Sequence, residues 1–300
     1  MEGKSLDIYL YGMTVLSTIH VLKDAYPKAD NYAEISKSFQ IPGGETANAA
    51  FILSNLGYTT KIDGPFLGIK TKETISKFLK QYHIDYSGFL YKENFVGLED
   101  LVLVDKQTRT VFGKFQQYFS SEKNWSPPDK KSIELAKIVS IDPFFAEESV
   151  QAARYCKQQN KKYIIIDCPF DSFLHKHSAA NILSSEFIRN NYPNYDVYDL
   201  IQKYSNTSSG LVVFTFGEKE ILFKRKDDPL KRLLPFKIEV NSTLGAGDTF
   251  RAGIIYGILN HFDDEKTVKF ASATAALVCK NFPFILSPPS LQDILNLMNV

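Results

Sequence analysis

Three uninterrupted apolar runs of strand length constrain the fold of this chain most strongly. They cover Ile138–Ile141, Tyr163–Asp167 and Leu211–Phe216, and a helical stretch, Glu147–Gln159, lies between the first two. Strands of a parallel sheet form unbroken apolar runs because helices cover both faces of the sheet. The pattern therefore predicts an α/β fold with a doubly wound, mostly parallel sheet flanked by helices.

The N-terminal part of the chain shows the same alternation of strands and helices. Leu6–Gly12 and Thr59–Asp63 are predicted strands, and Lys72–Tyr82 is a predicted amphipathic helix. Glu45–Leu56 is a predicted apolar helix that ends before Gly57, at the position where helices favour a left-handed residue. The prediction of an α/β sheet therefore extends to this region.

Two segments break the alternation. Tyr32–Ile41 and Leu98–Phe119 are predicted to form strands without intervening helices, and a hairpin is predicted around Asp105–Arg109. We interpret these segments as a small antiparallel β lid, with its strands within residues 13–41 and 98–119. Because no Pro/Gly/Ser-rich linker divides the chain, we expect one domain over residues 1–300.

Charge and cysteine content exclude several classes of protein. The chain has 35 Lys and Arg against 34 Asp and Glu, a net charge of +1, which provides no electrostatic footprint for nucleic acid or an anionic membrane. No apolar stretch approaches the ~18 residues that span a bilayer, and Met1–Leu6 is too polar for a signal peptide. Three cysteines without a C-x-x-C pair fit reduced thiols. We therefore expect a cytoplasmic protein with a small-molecule partner and with neither nucleic acid nor membrane as a partner.

A glycine-rich turn at the start of a predicted helix carries the strongest chemical signal. Thr243–Asp248 reads TLGAGD, and apolar residues follow it at helical spacing. The backbone N–H groups of such a turn and the positive end of the helix dipole bind an anion such as phosphate. Asp248 would repel that phosphate unless it accepts a proton from a hydroxyl that attacks it. On spacing alone, the alternative is an Asp that caps the helix beside a plain glycine turn.

Three segments together resemble a known family. Thr243–Gly253 resembles the C-terminal signature of the ribokinase-like (PfkB-type) carbohydrate kinases. Pro42–Ala50, which reads PGGETANAA, resembles the family's N-terminal Gly-Gly-x-x-x-Asn region, and Phe214–Lys219 resembles its T-x-G-x-x-G strand and turn. The resemblance covers essentially the whole chain. It implies a ribokinase-like fold, a lid that covers the sugar, and ATP-dependent, Mg²⁺-assisted phosphorylation of a sugar or sugar-like hydroxyl.

The resemblance also implies roles for individual residues. Asp248 would be the general base, and the anion hole for the transferred phosphoryl group would consist of Gly245, Ala246 and Gly247. The nucleotide side would be lined by Thr215 and Gly217, with adenine near Asn281. Gly44 and Asn48 would contact sugar hydroxyls, which suits an amide that both donates and accepts. Without the resemblance, the preferred interpretation of Asn48 is an Asn that bonds its own helix backbone, and Gly44 is interpreted as part of a plain turn.

Four positions depart from the family pattern. Ser17 stands where the family commonly has an Asp that binds sugar hydroxyls, so the sugar specificity stays open. Ser242 stands where an Asp often helps to organise a monovalent cation site, so the resemblance does not imply potassium activation. The magnesium-linked N-x-x-E motif is not intact, which leaves Glu186 as a candidate metal ligand or as a solvated Glu at a helix start. Glu220 replaces the last glycine of T-x-G-x-x-G.

Several charged residues outside these motifs are further candidates. Arg251, in the first turn after Asp248, is a candidate contact for a phosphate or a substrate anion. The basic run Lys224–Lys226 is either a phosphate contact or a polar hairpin tip. His175 and His177 have no third ligand nearby in the sequence, so we predict surface residues rather than a metal site.

Three functions stay open at this point. The first is a carbohydrate kinase, and the second is a nucleoside kinase of the same fold, which the departure at Ser17 favours. The third is a non-catalytic sugar- or nucleotide-binding regulatory homologue, which the departures favour and the intact Gly-Ala-Gly-Asp turn opposes. The resemblance further implies a homodimer formed through the lid, whose unpaired strand edges give a physical reason for it.

Overall fold

Two sheets make up the computed structural model of this protein, which describes residues 6–105 and 108–299. The strands are β1 Ile8–Tyr11, β2 Val15–Leu22, β3 Ile35–Gly43, β4 Thr60–Asp63, β5 Glu99–Val104, β6 Arg109–Gly113, β7 Ile138–Ile141, β8 Lys162–Ile166, β9 Ala180–Ser184, β10 Leu211–Thr215, β11 Ile221–Lys224 and β12 Lys231–Leu233. The α-helices are α1 Glu45–Asn55, α2 Lys72–Gln81, α3 Phe115–Ser120, α4 Lys130–Leu135, α5 Glu147–Gln158, α6 Phe173–Lys176, α7 Ser185–Asn191, α8 Val197–Thr207, α9 Ala246–Leu259, α10 Asp264–Lys280 and α11 Leu291–Met298. Short 3₁₀ helices cover Pro143–Phe145 and Phe284–Leu286.

The main sheet has the strand order β12-β11-β10-β9-β8-β7-β1-β4. The six strands from β10 to β4 are parallel, and β11 and β12 extend the sheet in antiparallel pairing. Side chains of β1 alternate between two cores. Ile8 and Leu10 pack with α1 and α9, whereas Tyr9 and Tyr11 pack with α4 and α5. Helices therefore cover both faces, and the predicted doubly wound, mostly parallel sheet is confirmed.

The lid is a four-stranded sheet with the order β3-β2-β5-β6. The two outer pairs are antiparallel, as predicted, but the central pair, β2 and β5, is parallel. Each hairpin leaves the main body on one strand and returns on the next, so the two outgoing strands become neighbours with the same direction. The predicted hairpin joins β5 to β6, and its residues 106 and 107 lie outside the described part of the chain.

The lid also contains a helix that the sequence did not predict. Phe115–Ser120 forms α3 where we expected a strand to continue to Phe119. The aromatic residues recur at spacings of three and four, which places Tyr118 and Phe119 against Trp125, while Phe119 also contacts Phe145. This packing favours a helical turn over the strand that aromatic composition alone suggests.

The prediction that His175 lies at the surface is wrong. Its side chain is fully buried, and its ring lies 2.9 Å from the Tyr204 carbonyl and 3.0 Å from the Asn181 amide nitrogen. These partners satisfy a neutral ring, and burial lowers the pKa of His175. His177 is exposed, as predicted. Among the described helices, none is long and apolar enough to cross a membrane.

Candidate active site

A cavity of about 370 Å³ lies between the lid and the carboxyl ends of the parallel strands. Ligands of doubly wound folds bind at this edge of the sheet. Five residues singled out from the sequence line the cavity: Ser17 from β2, Gly44 and Asn48 at the start of α1, and Gly245 and Asp248 at the start of α9. Segments almost 200 residues apart in the chain are therefore brought together, as their motifs predicted.

Asp248 lies in the first turn of α9, and Asn48 holds its carboxylate. The Asn48 side-chain amide (Nδ2) donates to Asp248 Oδ2 at 2.8 Å. Gly245 caps the helix in the left-handed region, with φ 78°, and the Thr249 hydroxyl donates to the Gly245 carbonyl at 3.0 Å. Burial raises the pKa of Asp248, whereas the Asn48 hydrogen bond and the charge of Arg251 lower it.

Glu45 is a site residue that the sequence analysis missed. It begins α1 inside the Gly-Gly-x-x-x-Asn segment, and it lines the cavity. Burial raises the pKa of Glu45 to about 8, and the carboxylates of Asp248 and Asp142 add to this shift. The sequence signal for Glu45 was its position between Gly44 and Asn48, two residues of the motif.

Behind the cavity, Arg251 forms an ion pair with Asp142 in which both side chains are fully buried. Asp142 follows β7, and its Oδ2 accepts from the Met13 backbone N–H at 2.7 Å and from the Thr46 hydroxyl at 2.9 Å. Gly12 lies against it, since an added Cβ would be 2.0 Å from that oxygen. This buried position does not support the predicted contact between Arg251 and a phosphate.

The lid contributes a second carboxylate that the sequence analysis missed. Asp100 of β5 lies beside Ser17 of β2 in the parallel pair, and both line the cavity. Burial raises the pKa of Asp100 to about 6, and a hydrogen bond from Ser17 opposes the shift. Asp100 Oδ1 is buried and has no hydrogen-bond partner within the described residues. The acidic pair at the start of the otherwise apolar strand EDLVLV was the signal for it.

The lid also reaches the glycine-rich turn directly. Arg109 of β6 donates from Nη1 to the Thr243 hydroxyl at 3.0 Å, and Arg109 lines the cavity. Ser242, next to Thr243, is buried, and its hydroxyl accepts from the Leu244 N–H at 3.2 Å. The lid and the start of α9 are therefore in contact.

The residues predicted for the nucleotide side lie at the same edge of the sheet, outside the cavity described above. Thr215 ends β10, and Gly217 follows it with φ 62° and open space where a Cβ would stand. Asn281 follows α10, and the next residue, Phe282, lines the cavity. This geometry leaves room for a ligand beside the turn after β10, and the roles of the three residues stay predictions.

The basic run Lys224–Lys226 lies at the opposite edge. Lys224 pairs with Val212 near the amino end of β10, and Arg225 forms an ion pair with Asp264 at 2.7 Å. A turn between β11 and β12 follows. This position does not support the interpretation of the run as a phosphate contact. The hairpin-tip interpretation holds for Lys226, which lies in the turn, and not for Lys224, which is buried in β11.

Candidate metal ligands are few. Glu186 is exposed in the first turn of α7. Asp167, after β8, accepts from the Ser184 N–H at 2.7 Å, and burial raises its pKa to about 6, with Asp248 and Glu186 contributing. Over residues 6–105 and 108–299, no group of three or more His, Cys, Asp or Glu side chains is placed to hold a metal ion.

Comparisons with known proteins agree with this architecture. A family model described as pfkB family carbohydrate kinase matches residues 16–290. The chain is 22% identical over 290 residues to a 5-dehydro-2-deoxygluconokinase of Clostridium botulinum, covering 86% of this chain and 84% of that protein. It is 24% identical over 299 residues to a nucleoside kinase of Methanocaldococcus jannaschii, with 93% and 92% covered. The structure of Arabidopsis thaliana ribokinase complexed with ribose and ATP superposes with a TM-score of 0.80 at 17% identity, over 99% of this chain and 100% of that one, which shows the same fold.

Proposed function

Because this chain belongs to the pfkB family of carbohydrate kinases, we propose that Asp248 is the general base in phosphoryl transfer from ATP to a hydroxyl of a sugar or sugar-like acceptor. The observation that carries this proposal is the position of Asp248. Its carboxylate lies in the first turn of α9, faces the lid cavity and is held by Asn48. A carboxylate so placed accepts the proton of the attacking hydroxyl.

The start of α9 provides the anion hole of the proposed reaction. Gly245, Ala246, Gly247 and Asp248 occupy the cap and the first turn, where a helix leaves N–H groups without intrahelical partners. A Cβ at Gly247 would meet open space, so a ligand has room to approach the backbone. These N–H groups and the helix dipole stabilise negative charge on the transferred phosphoryl group.

The proposed nucleotide site extends from this turn to the end of β10. Thr215 and Gly217 would line it, and Asn281 would lie near the adenine. We propose Mg²⁺ as the accompanying ion, held mainly by ATP phosphates, with Glu186 as the candidate protein ligand, because Mg²⁺ in kinases needs only one or two carboxylates besides phosphates. When bound, the ion neutralises charge on the phosphates. Ser242 would offer a monovalent cation a hydroxyl instead of a carboxylate. The kinase assay described below therefore compares turnover with and without potassium.

The acceptor would bind under the lid. Gly44 lines the cavity, so its backbone can approach an acceptor directly. Its φ of 90° favours glycine, and a Cβ at this position would lie only 2.7 Å from the Met13 carbonyl. Asn48, Ser17 and Asp100 supply polar groups to acceptor hydroxyls. Asp100 offers the carboxylate that Ser17 lacks, from the neighbouring strand.

A nucleoside is a second candidate acceptor. Five aromatic side chains line the cavity, two of them from the unexpected helix α3: Phe115, Phe119, Phe144, Phe282 and Phe284. Flat aromatic groups stack on such walls. The cavity combines an apolar wall that suits a base with carboxylates that suit a ribose, which supports a nucleoside as the second candidate.

The decisive experiment is a coupled assay of ADP release with MgATP, with and without potassium. The acceptors are fructose, ribose, 5-dehydro-2-deoxygluconate and nucleosides. Asp248→Asn is expected to lose at least about a hundredfold in turnover, the lower end of what a positioned general base contributes, while ATP still raises its melting temperature. Asp227→Asn, on the exposed hairpin at the opposite edge, is the matched control. Turnover that survives in Asp248→Asn would refute the assigned base, and ATP binding without turnover on any acceptor would favour the regulatory alternative.

We also propose a cytoplasmic homodimer formed through the lid. Leu101 and Phe112 face each other across β5 and β6, and they are 37% and 46% exposed. The three cysteines are free and buried, which suits a reducing compartment. Light scattering after size exclusion tests the dimer, and Phe112→Glu is expected to give monomers. A monomeric wild type would contradict the proposal.

A further inference from the structure

The buried ion pair between Arg251 and Asp142 calls for a physical reason. Taking two charges out of water costs several kcal/mol per ion, and only good geometry with further hydrogen bonds offsets that cost. Arg251 is the largest fully buried side chain among the described residues. It stands one helical turn after Asp248, on the same helix.

Asp142 holds the guanidinium in place through several parts of the chain. Its carboxylate accepts from Met13, which follows β1, and from Thr46 in α1, and its own N–H donates to the Tyr11 carbonyl at 2.9 Å. The ion pair to Arg251 adds α9 to this set. The position of the charge on Arg251 is therefore fixed by the segments that build the active site.

The charges around this ion pair do not balance. Arg251 pairs with Asp142, and two further acids, Glu45 and Asp248, interact electrostatically with the same buried cation. Arg251 has five N–H donors, yet its Nε and Nη2 have no hydrogen-bond partner within the described residues. Buried charges are screened little, so the guanidinium acts on the other two acids through space.

We propose that Arg251 is a positioning residue of the reaction: Asp142 holds it in place, and its charge keeps Asp248 ionised as the proton acceptor. The proposal rests on the function assigned to Asp248. Burial raises the pKa of Asp248 and Arg251 opposes this rise, whereas the pKa of Glu45 is raised to about 8.

Other charged groups face Asp248 from the surrounding elements. Asp167, at the end of β8, interacts unfavourably with it, and Arg109 of the lid lowers its pKa. Arg109 is exposed, so water and salt screen its charge. Arg251 is therefore the cation whose effect on Asp248 does not depend on the lid or on ionic strength.

The test is a pH titration of Asp248 that needs no turnover. Protein labelled with ¹³C at the Asp carboxyl carbons gives one signal that disappears in Asp248→Asn, which assigns it. Arg251→Gln is expected to move the titration of this signal up by about one pH unit or more, the usual effect of a close opposite charge. Asp142→Asn is expected to move it down, because it removes a negative neighbour and frees the guanidinium for Asp248. Arg251→Lys keeps the charge and is expected to stay closer to wild type.

A purely structural role of the ion pair predicts a different pattern. Arg251→Gln and Asp142→Asn would then both lower the melting temperature and leave the pKa of Asp248 unchanged, and this result would overturn the proposal. The proposal would also be overturned if the two variants shifted that pKa in the same direction. Arg225→Gln removes another Arg–Asp pair, at the opposite edge of the sheet, and is the matched control. It should leave the titration of Asp248 unchanged. If Arg251→Gln does not fold, Asp142→Asn and Arg251→Lys carry the test. Silence in the kinase assay would contradict the proposed function alone, because the titration is measured without substrate.

Discussion

Replacing Asn48 by Ala removes the one side-chain hydrogen bond that the structure assigns between α1 and the proposed base. The amide donates to Asp248 Oδ2 at 2.8 Å, and Asn48 is 7% exposed. A hydrogen bond to a charged group contributes roughly 1.5–3 kcal/mol. Because about 1.4 kcal/mol corresponds to a factor of ten in rate, we expect kcat/KM to fall roughly ten- to hundredfold.

The same change should alter the pH dependence. The Asn48 hydrogen bond lowers the pKa of Asp248, so its removal raises that pKa. A base works only when it is deprotonated, and the acid limb of the kcat/KM profile should therefore move to higher pH. The loss of activity in Asn48→Ala should be greatest on the acid side.

The assay is ADP release with MgATP and the best acceptor of the panel, measured across pH. Asn55→Ala is the matched control, since Asn55 lies on the same helix and its amide donates to the Pro289 carbonyl at 2.9 Å, away from the cavity. Both variants should lose about 1 kcal/mol of stability, and Asn48→Ala alone should shift the profile. Wild-type kcat/KM in Asn48→Ala, or an equal loss with an unmoved profile in both variants, would refute the role of this hydrogen bond.

Three further changes test the charges and the packing of the site. Glu45 has its pKa raised to about 8, so between its ordinary pKa and pH 8 the folded form holds a proton that the unfolded form has lost, and wild-type stability falls as pH rises. Glu45→Gln should lack this fall and should be more stable than wild type at pH 8 by several kcal/mol in urea unfolding, while an equal dependence of stability on pH in the two proteins would contradict it. Gly12→Ala places a Cβ 2.0 Å from Asp142 Oδ2 and should lower the free energy of unfolding by about 1–3 kcal/mol, which a lower melting temperature would report. An unchanged melting temperature would show that the neighbouring atoms move apart without cost. Asp100→Asn should raise the KM for the acceptor and leave the KM for ATP unchanged, and a parallel rise of both would argue against a contact with the acceptor.

The main sheet was predictable where strands are apolar throughout. Ile138–Ile141 is a strand with the predicted bounds, because every side chain of β7 is buried. The strand β9 escaped prediction because Asn181 interrupts it, and only the fold supplies the Cys168 carbonyl that this buried amide bonds. The parallel pairing of β2 with β5 joins distant segments, which no local pattern encodes.

The candidate site likewise contains residues that local sequence predicts and residues that only the fold brings together. The turn that holds Gly245 and Asp248 was predictable because the proposed anion hole and the proposed base are neighbours in the sequence. Asp142 follows β7 and Asp100 lies in β5, both far from this turn in the sequence. The order of strands in each sheet places them at the site, and a local sequence pattern does not encode that order. Arg251 was interpreted as a contact for a phosphate or a substrate anion because the sequence does not show the buried carboxylate with which it pairs.

The parallel pair at the centre of the lid has a consequence for the order of folding. Strand β2 cannot complete its pairing until β5 arrives, and the chain between them includes α1, β4 and α2 of the main body. Closing such a long loop is unfavourable until the intervening elements have formed. We therefore expect the lid amides to gain protection late in pulse-labelled hydrogen exchange during refolding, after those of β1 and β4, so that competence to bind the acceptor marks the final stage of folding.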